Sequence, residues 1–274
     1  CTYDQTNNFW VGTMGFGLRK INALQGFFHA GFTNTPVSGL WAHKGRYFVK
    51  RFFDILDFDP KTGKLSGKLA FNDVQMWQIS LAFEPPGAVW LLCRGAKGML
   101  RRYPLSSARA DRVHTFEAPV AYETPLLRTP DGMLWIASKN DLLIRFDPVS
   151  AHFDYFNYEH LFQKKNEIKR VLALVQDANG TIWIGTERGL VKGMPTGQGM
   201  VFQVIKADPD NPKALNHNII AGILPDPSAP GERLWLATKG GGINIFDIHT
   251  GQCRHITTAN GLLNDVVYGI LPGN

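Results

Sequence analysis

Residues 180–190 read GTIWIGTERGL. The stretch predicts a strand around Trp183, a tight turn over Glu187-Arg188-Gly189, and the start of a second strand at Leu190. Near-copies recur along the chain. They are NNFWVGTMGFGLRKI (7–21), GAVWLLCRGAKGMLRRY (87–103), GMLWIASKNDLLIRFDP (132–148), GTIWIGTERGLVKG (180–193) and ERLWLATKGGGINIFDI (232–248). A weaker copy, GRYFVKRFFDILDFDP (45–60), has Tyr47 in place of Trp, and its tail DFDPKTGKL fixes the register against RFDPVSAHF and IFDIHTGQC.

The anchor aromatics are therefore Trp10, Tyr47, Trp90, Trp135, Trp183 and Trp235, spaced by 37, 43, 45, 48 and 52 residues. A period of 40–50 residues with several short strands per unit predicts an all-β fold, a β-propeller of four-stranded antiparallel blades. Each unit has the same order. A first apolar strand (VLALV, 171–175; NIIAGIL, 218–224; VVYGIL, 266–271) leads to a turn such as DANG or TPDG. Asp and Asn there can bond their own backbone, and Gly tolerates positive φ. The anchor strand, a Gly-closed hairpin and a third strand follow, then a more polar fourth strand such as HFDYF (152–156) or QCRHI (252–256). One blade cannot bury both of its faces. Large anchors fill the space between blades, each burying roughly 150–250 Å². Gly12, Ala137, Gly185 and Ala237 after the anchors make room for the neighbour.

The expected organisation is one propeller domain over 1–274, with blades at 36–68, 74–117, 122–157, 168–206 and 218–257. A sixth is shared by 266–274 and 1–31. Joined end to end, Trp235 and Trp10 lie 49 residues apart, one ordinary period. A six-bladed ring and a truncated piece of a seven-bladed or longer propeller both fit this pattern. A start at Cys1 without Met, and an end within a repeat, point to an excised piece.

The pattern resembles the two-component regulator propeller repeat, approximately N-x-V-x-x-I-x-x-D-x-x-G-x-(I/L)-W-(I/V)-G-T-x-x-G-(I/L). IKRVLALVQDANGTIWIGTERGL (168–190) and NHNIIAGILPDPSAPGERLWLATKGGGI (216–243) carry the resemblance, and KADPDNPKALNHN (206–218) is similar to the family's linker between blades. It is strong over 120–274 and 7–21 and weak over 26–110. The resemblance implies a periplasmic sensing module of a membrane-bound histidine kinase, hybrid kinase or diguanylate cyclase. It implies an oligosaccharide ligand, with the sandwich, membrane and kinase domains as partners. Homodimerisation would suit such a receptor.

Composition narrows the classes. With 274 residues, 44% hydrophobic and only 19% charged, the chain can bury a core and is not a disordered segment. The net charge of +6 comes without basic runs, so nucleic-acid binding is not expected. Three cysteines, Cys1, Cys93 and Cys253, have no metal spacing; Cys1 would suit a lipid-modified N-terminus. No metal, cofactor or catalytic residue is expected, and the chain itself is not read as an enzyme. The eight histidines are scattered and no H-E-x-x-H, G-x-S-x-G or P-loop pattern occurs. Of the acidic pairs Asp57/Asp59 and Asp208/Asp210, the second lies in DPDNP (208–212), which has oxygen ligands at alternate positions but lacks the Gly and distal Glu of a calcium loop.

The expected working surface is the face where one blade crosses to the next. Aligning the first strands on their anchors puts Trp77, Tyr122, Arg170, Asn218 and Asp265 at the mouth of the central channel. The turns between second and third strands add Arg94, Lys97, Lys139, Arg188 and Lys239. Aromatics stack on sugar faces, and Arg, Asn and Asp make directed bonds to hydroxyls or acids. Interblade packing for the aromatics and rim solvation for the charges is the competing reading. The alternatives to a sensor are a propeller lyase or hydrolase and a protein-interaction scaffold.

Overall fold

Every described sheet is a meander in which each strand hydrogen-bonds to the next along the chain, the blade topology of a β-propeller. The structure is a computed structural model. It describes residues 8–13, 17–22, 28–32, 39–43, 46–51, 54–59, 64–67, 69, 71, 79–85, 87–121, 124–138, 141–162 and 170–270. Among them, five sheets have four strands and one has three. The three-stranded sheet is β1(Asn8–Thr13), β2(Gly17–Asn22) and β3(Phe28–Phe32). Next come β4(Gly39–His43), β5(Arg46–Arg51), β6(Asp54–Asp59) and β7(Lys64–Ser66), then β8(Ile79–Glu84), β9(Ala88–Cys93), β10(Gly98–Pro104) and β11(Arg112–Phe116). The last three sheets are β12(Leu126–Arg128), β13(Leu134–Ser138), β14(Leu142–Asp147) and β15(His152–Asn157); β16(Val171–Gln176), β17(Ile182–Thr186), β18(Gly189–Thr196) and β19(Gly199–Ile205); and β20(Ile220–Pro225), β21(Arg233–Thr238), β22(Ile243–Asp247) and β23(Cys253–Ile256). The described helix is limited to short 3-10 turns at Glu159–Leu161 and Thr258–Asn260.

The anchors occupy equivalent positions. Tyr47, Trp90, Trp135, Trp183 and Trp235 lie on the second strand of their sheets, and Trp10 lies on β1, the first strand of its sheet. A basic residue stands opposite four of them on the next strand: Lys20 to Trp10, Arg102 to Trp90, Arg145 to Trp135 and Lys192 to Trp183. The Lys192 ammonium lies 5.4 Å from the Trp183 ring centroid, and the Arg145 guanidinium 5.9 Å from that of Trp135, both within cation–π reach.

The turn before each anchor strand explains the acid of the repeat. Asp177 accepts the N–H groups of Asn179 and Thr181 on Oδ1, at 2.9 and 3.0 Å, and the Trp183 indole N–H on Oδ2 at 2.8 Å. Glu84 accepts the Trp90 indole N–H and is gripped by Arg102. That guanidinium holds the Glu84 carboxyl below its usual range, against the opposing effect of burial. Burial raises the pKa of Asp226, but bonds from Ser228 and the Trp235 indole, with the charge of Arg233, bring it below the usual carboxylate value. Thr129 holds the corresponding place before Trp135.

The chain packs as two compact units, 70–206 in one and 1–69 with 207–274 in the other. In the first, Trp90, Leu92, Leu100 and Phe116 pack on Leu134, Ile136, Ile144 and Phe146 of the following sheet. The other face of that sheet gives Trp135, Ala137 and Leu143 to Leu174, Ile182, Ile184, Val191 and Phe202. In the second unit, Leu224, Ala237 and Ile243 pack against Val267 and Ile270. Val266 makes an isolated bridge to Lys239, and residues 266–270 lie against the β20–β23 sheet. Among the described residues it does not extend the β1–β3 sheet, and a blade shared by 266–274 and 1–31 stays an expectation.

Candidate functional site

In the β16–β19 and β20–β23 sheets, the entry to the first strand meets the turn between the second and third. In the β16–β19 sheet a buried threonine builds that turn. Thr186 Oγ1 donates to the Gly189 carbonyl at 2.8 Å and accepts the Arg188 N–H at 2.9 Å. Gly189 has φ 130°, and a Cβ there would come within 2.6 Å of the Ile205 carbonyl oxygen, so the glycine of G-T-x-x-G is required. Thr238 repeats the arrangement, donating to the Gly242 carbonyl and accepting the Gly241 N–H. Ser138 turns its hydroxyl to the Pro119 carbonyl instead.

These turns bring Arg170 and Arg188 together. The Glu187 N–H donates to the Arg170 carbonyl at 3.4 Å, and both arginines are exposed at the same end of the sheet. In the same unit Arg94 and Lys97 are exposed on the β9–β10 turn, which is pinned by reciprocal backbone bonds between Gly95 and Val120. Lys97 pairs with Glu117 at 2.6 Å. Lys206, exposed at the end of β19, places its ammonium 5.9 Å from the Phe162 ring centroid.

In the other unit Lys239, Asn218 and Asp265 are described. The Lys239 ammonium lies 4.8 Å from the centroid of the Tyr268 ring. Asp265 acts as a brace. Its carboxylate accepts the Thr258 N–H at 2.7 Å and the Thr258 hydroxyl at 3.1 Å, and its carbonyl accepts the N–H groups of Gly240 and Gly242. Asn218 Oδ1 accepts the Ala207 N–H at 2.8 Å and ties down the linker. Trp77, Tyr122 and Lys139 lie outside the described residues. In the linker, Asp208 and Asn211 use side-chain oxygens to accept the N–H groups of Asp210 and Lys213.

Two features escape a straight alignment. The first is the register of the first strands, which are bulged at equivalent places, between Val171 and Ala173 in β16 and between Ile220 and Gly222 in β20. The bond from Lys239 N–H to the Ile219 carbonyl matches that from Glu187 N–H to Arg170, so Ile219, not Asn218, is the equivalent of Arg170. The second is Tyr268. Its signal in the sequence is an aromatic at the place where NIIAGIL carries Ala221.

Comparison with known proteins bears on the same segment. Residues 168–188 match the sequence profile of the two component regulator propeller family. This repeat is the one that joins Arg170 to Arg188. No curated protein is detectably similar in sequence. Among solved structures, the chain is similar to the extracellular domain described as that of the hybrid two component system BT4673 of B. thetaiotaomicron, with 18% identity and a TM-score of 0.64 over 97% of this chain and 34% of that one. It is similar to PorZ, a surface component of the type-IX secretion system of Porphyromonas gingivalis (15%, TM-score 0.60, 98% of this chain and 44% of that one). Virginiamycin B lyase from Staphylococcus aureus also matches (15%, TM-score 0.56, 82% and 72%). Identities this low establish the propeller fold. The chain spans about a third of the length of the BT4673 domain.

Proposed function

We propose that the chain is the ligand-sensing propeller of a two-component signalling receptor. It lies outside the cytoplasm, in the periplasm, and binds an oligosaccharide at the blade ends that carry Arg170 and Arg188. The observation that supports this most directly is a coincidence. The segment matching the two component regulator propeller profile is the one whose Thr186–Gly189 turn holds exposed Arg188 at the same end of the sheet as exposed Arg170. The likeness to an extracellular two-component domain agrees with it.

The chemistry is recognition. Guanidinium groups on a hydrogen-bonded turn make directed, bidentate bonds to carboxylates, sulfates or vicinal hydroxyls. Exposed Arg94, Lys97 and Lys206 at the same end of their sheets speed the encounter with an acidic glycan. Signalling to a kinase-type output in the rest of the receptor requires the ligand to favour one of two receptor states.

The test is isothermal titration against neutral and acidic oligosaccharides, with product analysis of each mixture. Binding without turnover, weakened at least about tenfold by Arg170→Ala with Arg188→Ala, is the expected result. Turnover would move the protein to the lyase or hydrolase class. Binding indifferent to both substitutions would move the site elsewhere, and no binding across the panel would sink the reading.

A further inference from the structure

The bulge gives each first strand one residue outside the ladder. Val171 and Ala173 both pair with β17, and Ile220 and Gly222 with β21, so Leu172 and Ala221 are the extra residues. A bulge re-aims its side chain, and bulges are over-represented beside functional sites. The next apolar run, VVYGIL (266–271), carries Tyr268 at this place. Burial agrees with the alignment: Val267 and Ile270 are buried like Ile220 and Ile223, while Tyr268 is partly exposed. A large aromatic thus stands where the two preceding strands carry a leucine and an alanine.

Tyr268 is held beside a fixed turn. Val266 bridges Lys239, and the Val267 N–H donates to the Thr238 carbonyl at 2.8 Å. The Lys239 ammonium lies 4.8 Å from the Tyr268 ring centroid, the shortest cation–π distance among the described residues. The turn that carries this lysine is tied to the segments on both sides of it. The Asp265 carbonyl accepts the Gly240 and Gly242 N–H groups, and Asn216 Nδ2 donates to the Gly241 carbonyl at 2.9 Å. The His217 ring packs so close that a Cβ on Gly240 would come within 3.0 Å of its Nε2. His217 Nδ1 accepts the Ile219 N–H at 3.1 Å, so the neutral ring carries its proton on Nε2. The lysine and the imidazole are therefore donors. Asp265, the acid of the segment, turns its carboxylate to Thr258. A cation and donors beside a partly exposed aromatic ring suit an acid borne on a sugar.

We propose that Tyr268 and Lys239 form a second glycan site, in the unit that holds 207–274, and that this site takes a uronate residue. The proposal rests on the oligosaccharide reading above and adds to it a site and a sugar class. The uronate carboxylate pairs with the Lys239 ammonium, and the apolar face of the pyranose stacks on the Tyr268 ring. Because the turn is already tied down and the ammonium already rests by the ring, little ordering remains to be done on binding.

The experiment acetylates the lysines of the 274-residue chain and reads each one by mass spectrometry, with a galacturonate tetramer and with its uncharged methyl ester. Calorimetry measures tetramer binding in parallel. The tetramer is expected to slow the labelling of Lys239, and the ester is not. Tyr268→Leu copies Leu172, and circular dichroism confirms that it is folded. It should raise the tetramer concentration for half-protection at least about tenfold, and Tyr268→Phe, which keeps the ring, less than about threefold. Arg170→Ala with Arg188→Ala should leave the protection in place. Binding by calorimetry without protection of Lys239 overturns the proposal and leaves the first site standing. So does protection that the ester matches, that Tyr268→Leu spares, that Tyr268→Phe removes as fully as leucine, or that the double arginine variant abolishes. A tetramer that does not bind at all overturns the proposal, and silence across the whole oligosaccharide panel overturns the reading beneath it.

Discussion

Asp177 holds Trp183 through a 2.8 Å bond from the indole N–H, while its other carboxylate oxygen holds the two N–H groups of the turn between them. One buried side chain thus closes the DANG turn and fixes the buried indole ring of Trp183. Asp177→Ala leaves three N–H groups without their acceptor. It should lower the unfolding free energy by about 2–3 kcal/mol in urea titration. A loss below about 0.5 kcal/mol would show that solvent replaces the carboxylate and that the repeat's acid has another use.

The β12–β15 sheet offers the reverse experiment. Thr129 stands where the repeats of Trp90, Trp183 and Trp235 carry Glu84, Asp177 and Asp226, and the buried Trp135 indole N–H makes no hydrogen bond among the described residues. Thr129 donates its hydroxyl to the Asp131 carboxylate at 2.5 Å, so Asp131→Asn must accompany Thr129→Asp; the pair recreates Asp177 and Asn179 and should raise stability by about 1 kcal/mol, read as a higher urea midpoint at unchanged slope. A destabilised variant would mean that burying the carboxylate outweighs the bond gained.

The residues that carry the fold were legible because each repeats. Trp90, Trp135 and Trp183 mark second strands, and the turn acid stands six residues before Trp90 and Trp183 and nine before Trp235. The register of β16 against β20 was not legible, because the apolar runs VLALV and IIAGIL slide by one residue without penalty and the turn from Asp226 to Trp235 is three residues longer than that from Asp177 to Trp183. That is why Asn218 aligned with Arg170 although Ile219 takes its place. Asp265 reads in sequence as a rim acid, yet its partner Thr258 lies on a loop whose path depends on the packed sheet. Trp77, Tyr122 and Lys139 lie outside the described residues; Arg170 and Arg188 are described in one unit, and Lys239 by itself in the other.

Acid should loosen the packing between the β8–β11 and β12–β15 sheets. The His114 ring lies between Trp90 and Phe146, at 6.0 and 4.8 Å between centroids, and its Nε2 is buried without a hydrogen-bond partner among the described residues. Burial and the nearby Arg112 depress its pKa below 6.5. The unfolded chain therefore takes up this proton first. The stabilisation is complete above about pH 6.5 and is lost as the pH falls from there through the folded-state value. Urea midpoints from pH 8 to 5 should decline in the wild type, and His114→Phe should flatten the decline. An unchanged slope in the variant would assign the decline to other groups.

Arg170 and Asp265, grouped together by the sequence, should separate by experiment. Asp265→Ala removes the acceptor of the Thr258 N–H and hydroxyl, and should cost about 1–2 kcal/mol of stability whether or not ligand is present. Arg170→Ala, at an exposed site, should leave the melting temperature within about 1 °C and act on binding alone. Thermal melts with and without an acidic oligosaccharide decide between them. A strongly destabilised Arg170→Ala would make this arginine a structural residue.

The close approach of Gly222 to Gly269 sets the last test. A Cβ on Gly222 would lie 3.0 Å from the Gly269 Cα and 3.2 Å from the Ile270 N, both backbone atoms that cannot turn aside. Here the buried Val267 and Ile270 reach Leu224, Ala237 and Ile243. Gly222→Val should push the 266–270 segment off the sheet, and the strain and lost contacts should cost about 2–4 kcal/mol. Hydrogen exchange locates the effect: protection should fall first at the Val267 N–H, which donates to the Thr238 carbonyl at 2.8 Å. Loss spread evenly over the β20–β23 sheet, with Val267 no faster than Leu236, would mean that the segment and the sheet unfold as one body.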